Sequence, residues 1–263
     1  MSGIDDLFAA TSAEGRGALI GYLPAGFPTV AASKDLIAAT IDGGADLIEV
    51  GVPYSDPVMD GPTIQAASVT ALDNGFRLKH VFEVVESISA RGGRAVVMTY
   101  WNPVHRYGVD RFARDLAAAG GLGLITPDLI PDEAGEWMTA SEAHGLDRTF
   151  LVAPSSSEER LAKTVAAASG FIYATAVMGV TGARDQVGAG AEELVRRTRA
   201  HTSLPIGVGL GVRSGDQAAQ VASFADAVIV GSALVTAAAE GPSGVHRLSA
   251  ELADGVRRAV ATA

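Results

Sequence analysis

Short apolar stretches rich in β-branched residues alternate along the chain with longer, alanine-rich stretches. Each short stretch is about four to seven residues long and apolar at consecutive positions, which is typical of strands covered on both faces. The predicted strands are 17–23, 46–50, 95–100, 123–126, 149–152, 171–175, 205–210 and 226–230.

The stretches between the predicted strands have the features of helices. In the clearest case, 78–90, four apolar residues form one stripe and the stretch ends before Gly92. Glycines end most of the other stretches in the same way, as expected for the residue that follows a helix. The predicted helices are 32–42, 78–90, 110–119, 131–144, 157–169, 191–201 and 215–224.

This order gives about eight strand-then-helix units in about 250 residues, without a break long enough to be a linker. It favours a (β/α)₈ barrel, the TIM barrel, as a single α/β domain over residues 1–263. A doubly wound open sheet is the alternative, because it also alternates strand and helix. The segment 62–76 predicts an extra helix after the second strand, on the C-terminal face where barrels carry their active sites.

The composition is that of a folded, acidic protein. Hydrophobic residues make up 48% of the 263 residues, far more than in disordered chains. Lys and Arg number 20 against 30 Asp and Glu, so the formal net charge is −10 and no nucleic-acid partner is expected. The absence of cysteine excludes disulfides, thiolate zinc sites and cysteine nucleophiles.

Signals for membranes or export are not found in the sequence. No apolar run approaches the roughly 20 residues that a membrane span needs. The first 17 residues contain early acidic residues and no apolar core of a secretory signal. We therefore expect a soluble, cytoplasmic protein without membrane contacts.

Two carboxylates near the second predicted strand are candidates for acid–base chemistry. Glu49 lies within an apolar strand, where a carboxylate costs several kcal/mol unless it is paired, protonated or functional. Burial should raise the pKa of its carboxyl into the range useful for proton transfer. Asp60 follows in a proline-rich loop, and two carboxyls in different environments can divide acid and base roles.

Glycine-rich stretches in the C-terminal half predict a phosphate site. They are 178–184, 207–213 and 230–232, each at the end of a predicted strand, and the last of them also opens a predicted helix. Glycine lets backbone amides approach an anion closely, and barrels often bind phosphate with the loops after strands seven and eight.

Other catalytic groups are poorly placed. Lys34, Lys79 and Lys163 all lie in helical segments, which disfavours a Schiff-base mechanism. The five histidines are scattered without the spacing of a metal site, so no metal is expected. Acid–base chemistry therefore falls to the carboxylates, with tyrosine as a helper.

Several specific motifs occur together between residues 7 and 234. They are EVGVPYSDP (49–57) continuing to DGPTIQ (60–65), MTYWNP (98–103), PDL (127–129), GVTG (179–182), GLG (209–211) and GS (231–232). In these motifs the chain resembles the tryptophan synthase alpha subunit family, with departures at Phe27, Ile130 and Met178. The resemblance implies a (β/α)₈ barrel and a lyase of tryptophan biosynthesis. Its reaction is the reversible retro-aldol cleavage of indole-3-glycerol phosphate to indole and glyceraldehyde 3-phosphate.

The resemblance also implies roles for individual residues. Glu49 is expected to shuttle a proton to indole C3 and from the glycerol hydroxyl, and Asp60 to bind the indole N–H and stabilise the cationic ring. Tyr173 corresponds to an active-site tyrosine, and Thr181 to a mobile loop that closes over the site. The implied phosphate-binding residues are Gly182, Gly209, Gly211, Gly231 and Ser232, and the implied indole pocket comprises Tyr22, Met98, Leu151 and Leu210.

The family pairs with a beta subunit that holds pyridoxal phosphate and consumes indole. The resemblance therefore implies an α₂β₂ tetramer and no cofactor in this chain. It places Pro53, Asp56 and Asn102 at the partner interface, with Asp56 the best candidate for an ion pair between subunits. Three alternatives stay open: a stand-alone lyase that releases indole, an inactive paralogue that binds or activates a partner, and a different phosphate-sugar barrel such as an isomerase.

Overall fold

The computed structural model describes residues 3–175, 189–209 and 211–259. Within these ranges the chain alternates strands and helices from end to end. The strands are β1 Ala18–Pro24, β2 Leu47–Gly51, β3 Ala95–Met98, β4 Gly123–Ile125, β5 Asp147–Thr149, β6 Leu151–Val152, β7 Ile172–Thr175, β8 Ile206–Gly209 and β9 Ala227–Val230.

All strand pairs are parallel, in the order β5-β4-β3-β2-β1-β9-β8-β7-β6. The two ends of this sheet, β5 and β6, are consecutive pieces of one strand that is interrupted at Phe150. The first piece pairs with β4 and the second with β7. Counted as one strand, β5 and β6 therefore close the sheet into an eight-stranded barrel. The predicted (β/α)₈ barrel is confirmed, and the open doubly wound sheet is excluded.

The helices are α1 Gly3–Ala13, α2 Val30–Asp42, α3 Pro62–Asp73, α4 His80–Ser89, α5 Trp101–Tyr107, α6 Val109–Ala118, α7 Gly135–Ala143, α8 Glu158–Ala167, α9 Ala189–Arg199, α10 Gly215–Ala222, α11 Ser232–Ala237 and α12 Gly241–Arg258. Each predicted helix is present, including the extra helix after β2, although residues 131–133 form a 3₁₀ turn ahead of α7. The helices α1, α5 and α12 lie outside the predicted set. Among the described residues, no helix has the length and apolar character needed to cross a bilayer.

Alternating residues of the strands face two different cores. Outward-facing residues pack against the surrounding helices, whereas Ile20, Leu47 and Val96 belong to a smaller cluster inside the barrel. Helix α1 adds Ile4, Leu7 and Phe8 to this inner cluster. Apolar side chains therefore fill the interior of the barrel on the side that α1 covers.

Candidate active site

Polar side chains enter the barrel interior at the C-terminal ends of the strands. Successive side chains of a strand point to opposite faces, so Glu49, two residues after the inward-facing Leu47, also points inward. Tyr22 is the register partner of Glu49 on the neighbouring strand β1. Tyr173 on β7 packs against the same inner cluster. These three polar residues thus line the C-terminal mouth of the barrel.

Glu49 is buried, with 1% of its surface exposed, and its Oε2 atom has no hydrogen-bond partner among the described residues. Burial raises the pKa of the Glu49 carboxyl to about 8, and the negative charge of Asp60 contributes in the same direction. A carboxyl with this pKa is largely protonated at neutral pH and can both give and accept a proton. An unpaired oxygen leaves it available to a substrate.

Asp60 lies near the end of the loop between β2 and α3 and is half-buried. Burial raises the pKa of its carboxyl, and a hydrogen bond from the Tyr100 side chain opposes that rise. The charges of Asp60 and Glu49 both act on the hydroxyl of Tyr22, whose pKa is raised mainly by burial. The structure therefore brings the two predicted carboxyls into electrostatic range of each other and of one tyrosine.

The other predicted pocket residues surround these carboxyls on neighbouring strands. Met98 ends β3 and is the register partner of Gly51, and Leu151 on β6 is the partner of Tyr173. Both are half-buried and pack against the inner cluster. Leu151 also borders a cavity of about 260 Å³. The predicted pocket residue Leu210 lies outside the described residues.

The predicted phosphate-binding residues that the structure describes are partly exposed at the ends of β8 and β9. Gly209 ends β8, and Gly231 follows β9 directly before Ser232, the first residue of α11. The first amides of a helix have no acceptor within the helix and can bind an anion. Gly211 has a φ of 72°, a conformation that favours glycine. Gly182 and Thr181 lie outside the described residues.

Two glycines make room for the tyrosines of the site. A Cβ on Gly209 would lie 2.5 Å from the hydroxyl oxygen of Tyr173, and a Cβ on Gly51 would overlap the hydroxyl of Tyr22. Burial raises the pKa of Tyr173, and the charge of Glu49 adds to this effect. Both tyrosines therefore stay neutral and pack tightly beside the carboxyls.

The predicted partner-facing residues differ in exposure. Asp56 and Asn102 are exposed, whereas Pro53 is buried in this chain. The Ser55 hydroxyl donates to Asp56 Oδ2 at 2.6 Å, and Asn102 Nδ2 donates to the Tyr54 hydroxyl at 3.0 Å. The side chains of Asp56 and Asn102 are therefore accessible to a partner, whereas Pro53 has little surface with which to contact one.

Tyr100 and Asp128 belong to the sequence motifs, but the sequence did not indicate their contacts. The Tyr100 hydroxyl accepts the Met59 amide at 2.9 Å and is hydrogen-bonded to Asp60. Asp128 Oδ1 accepts the Trp101 amide at 2.8 Å. The sequence signal that could have indicated these residues is their position, because both closely follow the C-terminal end of a strand. Within the described ranges, no three acidic or histidine side chains come together as a metal site would require.

Comparison with known proteins agrees with this geometry. The family model described as tryptophan synthase alpha chain matches residues 8–260. The tryptophan synthase alpha chain of Nocardia farcinica is 64% identical over 258 residues, covering 98% of this chain and 97% of that protein. A structure of Mycobacterium tuberculosis tryptophan synthase has a TM-score of 0.94 at 62% identity, covering 97% of this chain and 98% of that chain.

The similarity extends to a protein of lower sequence identity. A mutant alpha subunit of tryptophan synthase from the hyperthermophile Pyrococcus furiosus superposes with a TM-score of 0.83 at 33% identity, covering 90% of this chain and 98% of that chain. Sequence and fold agree over nearly the full length in each comparison. The chain therefore belongs to the tryptophan synthase alpha chain family.

Proposed function

We propose that Glu49 and Asp60 carry out, in this chain, the reaction of the tryptophan synthase alpha family. That reaction is the retro-aldol cleavage of indole-3-glycerol phosphate to indole and glyceraldehyde 3-phosphate, and the enzyme is a carbon–carbon lyase. The observation that carries the proposal is the buried carboxyl of Glu49, whose Oε2 atom has no hydrogen-bond partner among the described residues and which lies within electrostatic range of Asp60.

Glu49 acts as acid and then as base. With a pKa of about 8, its carboxyl holds a proton at neutral pH and transfers it to C3 of the indole ring. The bond between C3 and the glycerol carbon then breaks, and its electron pair returns to the ring. The hydroxyl on that glycerol carbon becomes the aldehyde, and its proton returns to Glu49, which is thereby regenerated.

Asp60 stabilises the charge that forms between these two proton transfers. Protonation at C3 makes the ring a cation whose N–H is acidic, and an ionised carboxylate bound to that N–H favours it. The hydrogen bond from Tyr100 favours the ionised form of Asp60. Tyr22, Met98 and Leu151 supply the apolar walls around the ring, and Tyr173 packs beside Glu49.

The phosphate is held at the rim of the barrel by main-chain amides. Gly209, Gly211, Gly231 and Ser232 form the binding site together with Gly182. Partial exposure of the first four residues and the start of α11 at Ser232 support this assignment. The substrate then spans from the carboxyls at β2 to the ends of β8 and β9.

An assay of indole release from indole-3-glycerol phosphate tests the proposal. Glu49→Gln is expected to lower kcat by about 10²- to 10⁴-fold, the usual contribution of a proton-transfer group. Glu136→Gln, on the exposed first turn of α7, is the matched control and should keep full activity. A folded Glu49→Gln protein with wild-type kcat would refute the acid–base assignment.

The partner of this chain is a tryptophan synthase beta subunit in an α₂β₂ tetramer. This chain needs no cofactor of its own, and pyridoxal phosphate belongs to the beta subunit, which consumes the indole. Exposed Asp56 and Asn102 support a contact beside the β2–α3 loop. The assay is repeated with added beta subunit: strong activation supports the complex, and unchanged high turnover indicates a stand-alone lyase. If the chain binds indole-3-glycerol phosphate but releases no indole, with or without the beta subunit, it is an inactive paralogue.

A further inference from the structure

Tyr100 contacts two consecutive residues of the loop that carries Asp60. It lies directly before α5, and only 5% of its surface is exposed. Its hydroxyl accepts the Met59 amide at 2.9 Å and is hydrogen-bonded to the Asp60 carboxyl. The loop is otherwise open, with Ser55, Asp56 and Val58 exposed.

The direction of these hydrogen bonds is determined by their chemistry. A backbone amide can only donate, so the Met59 N–H occupies a lone pair of the phenolic oxygen. The hydroxyl proton is then directed to the Asp60 carboxyl, which accepts when ionised. The amide therefore orients the hydroxyl so that it binds the charged form of Asp60.

The ring of Tyr100 is held independently of its hydroxyl. It packs on the Tyr54 ring with 5.3 Å between centroids, and Asn102 Nδ2 donates to the Tyr54 hydroxyl at 3.0 Å. The next amide along the chain, that of Trp101, donates to Asp128 Oδ1 at 2.8 Å. Removal of the hydroxyl alone should therefore leave the ring in its place.

We propose that Tyr100 is a positioning residue for Asp60. The Tyr100 hydroxyl fixes the orientation of the Asp60 carboxylate and favours its ionised form, which binds the indole N–H. The inference rests on the function proposed for Asp60. Among the described residues, the titratable groups that interact with this carboxyl are Glu49 on β2 and the hydroxyls of Tyr22 on β1 and Tyr100. Tyr100 alone among them donates a hydrogen bond that lowers the pKa of Asp60.

The test compares two Tyr→Phe substitutions. Tyr100→Phe removes the hydroxyl from Asp60, and Tyr107→Phe removes an equivalent hydroxyl that donates to Asp115 Oδ2 at 2.7 Å on α6. Tyr100→Phe should lower kcat about 10- to 100-fold with little change in KM, as expected for loss of a hydrogen bond to a charged group. Tyr107→Phe should leave both parameters unchanged. Urea titration verifies that each variant is folded.

The pH dependence separates positioning from a general structural effect. Loss of the Tyr100 hydrogen bond lets the pKa of Asp60 rise, so the acid limb of the kcat/KM profile should move to higher pH. A purely structural defect would lower the whole profile without moving this limb. Wild-type kcat together with an unmoved acid limb in Tyr100→Phe would overturn the inference.

Asp60→Asn distinguishes this inference from the proposed function. If Asp60→Asn is inactive and Tyr100→Phe behaves as wild type, the role of Asp60 stands and that of Tyr100 fails. If Asp60→Asn is fully active, both fail. The double variant should be no slower than Asp60→Asn alone, and a further additive loss would mean that the hydroxyl acts on another group.

Discussion

The hydroxyl of Tyr173 occupies the space into which a side chain on Gly209 would project, because a Cβ there would lie 2.5 Å from the hydroxyl oxygen. Tyr173 is also within electrostatic range of Glu49. One ring therefore connects the carboxyl proposed for proton transfer with a glycine proposed for phosphate binding. A change at either residue should disturb both ends of the site.

Gly209→Ala should lower kcat/KM for indole-3-glycerol phosphate at least 10-fold. The new methyl group would lie 2.5 to 2.9 Å from the hydroxyl oxygen, Cζ and Cε1 of Tyr173, so the ring must move away from its position beside β8. Steady-state kinetics of indole release measure the effect. Gly135→Ala is the control, because a Cβ at that helical position meets nothing within 4 Å. Equal activity of both variants would contradict the proposed packing.

The barrel could be predicted from the sequence because its strands are covered on both faces and appear as continuous apolar runs. The break at Phe150, which divides one strand into β5 and β6, has no such signal, because it arises where the sheet closes. Helix α12 lies outside the predicted helices, and the residues that begin it, Gly241-Pro242-Ser243-Gly244, are typical of a loop. In the structure, Pro242 occupies the first turn of this helix, a position where proline is well tolerated.

The site was only partly predictable. A lone carboxylate in an apolar strand made Glu49 conspicuous, since burial of an unpaired charge is costly. The contact of Tyr100 with Met59 and Asp60 joins residues about 40 positions apart, and it depends on the loop folding back over the end of β3. No local pattern encodes such a contact. No local pattern indicates the burial of Pro53 either. The family resemblance implies a place at the partner interface for this residue, whereas the fold buries it within this chain.

Glu49→Gln should make the protein more stable than the wild type at alkaline pH. The pKa of Glu49 is raised from 4.5 to about 8 on folding, so the folded state binds its proton more tightly than the unfolded state. Wild-type stability therefore falls as pH rises through this window, and glutamine removes the effect. Between about pH 5.5 and about pH 8.5 the stability gain of the variant should grow by roughly 3 kcal/mol. Urea unfolding at both pH values measures it, and a gain independent of pH would show that burial does not raise this pKa.

Asp46→Asn should lower stability without changing kcat. Asp46 accepts two hydrogen bonds from the Arg16 guanidinium, at 2.8 and 2.9 Å, and a third from the Leu19 amide at 2.8 Å. This ion pair is largely buried. It lies at the N-terminal ends of β1 and β2, away from Glu49 and Asp60. Loss of one charge of the pair should therefore lower the free energy of unfolding by about 3 kcal/mol.

Asp42→Asn provides the comparison for this ion pair. Asp42 pairs with Arg91 on the surface, where both side chains are about half exposed, and its loss should cost less than about 1 kcal/mol. Urea titration gives the free energies, and indole release gives kcat. Equal costs for the two substitutions would mean that burial of the Arg16–Asp46 pair contributes nothing.

Asp56→Asn should weaken binding to a beta subunit about 10-fold at low salt, because the proposed interface pairs this exposed carboxylate with a cation of the partner. The difference from wild type should shrink as salt is added, since exposed charges are screened. Asp216→Asn, which removes the same charge from an exposed position on α10, should bind as the wild type does. Titration calorimetry at two salt concentrations measures both variants. Unchanged kcat of the isolated Asp56→Asn chain would verify that its active site is intact. Unchanged affinity of this variant for the beta subunit at low salt would exclude Asp56 from an ion pair between the subunits.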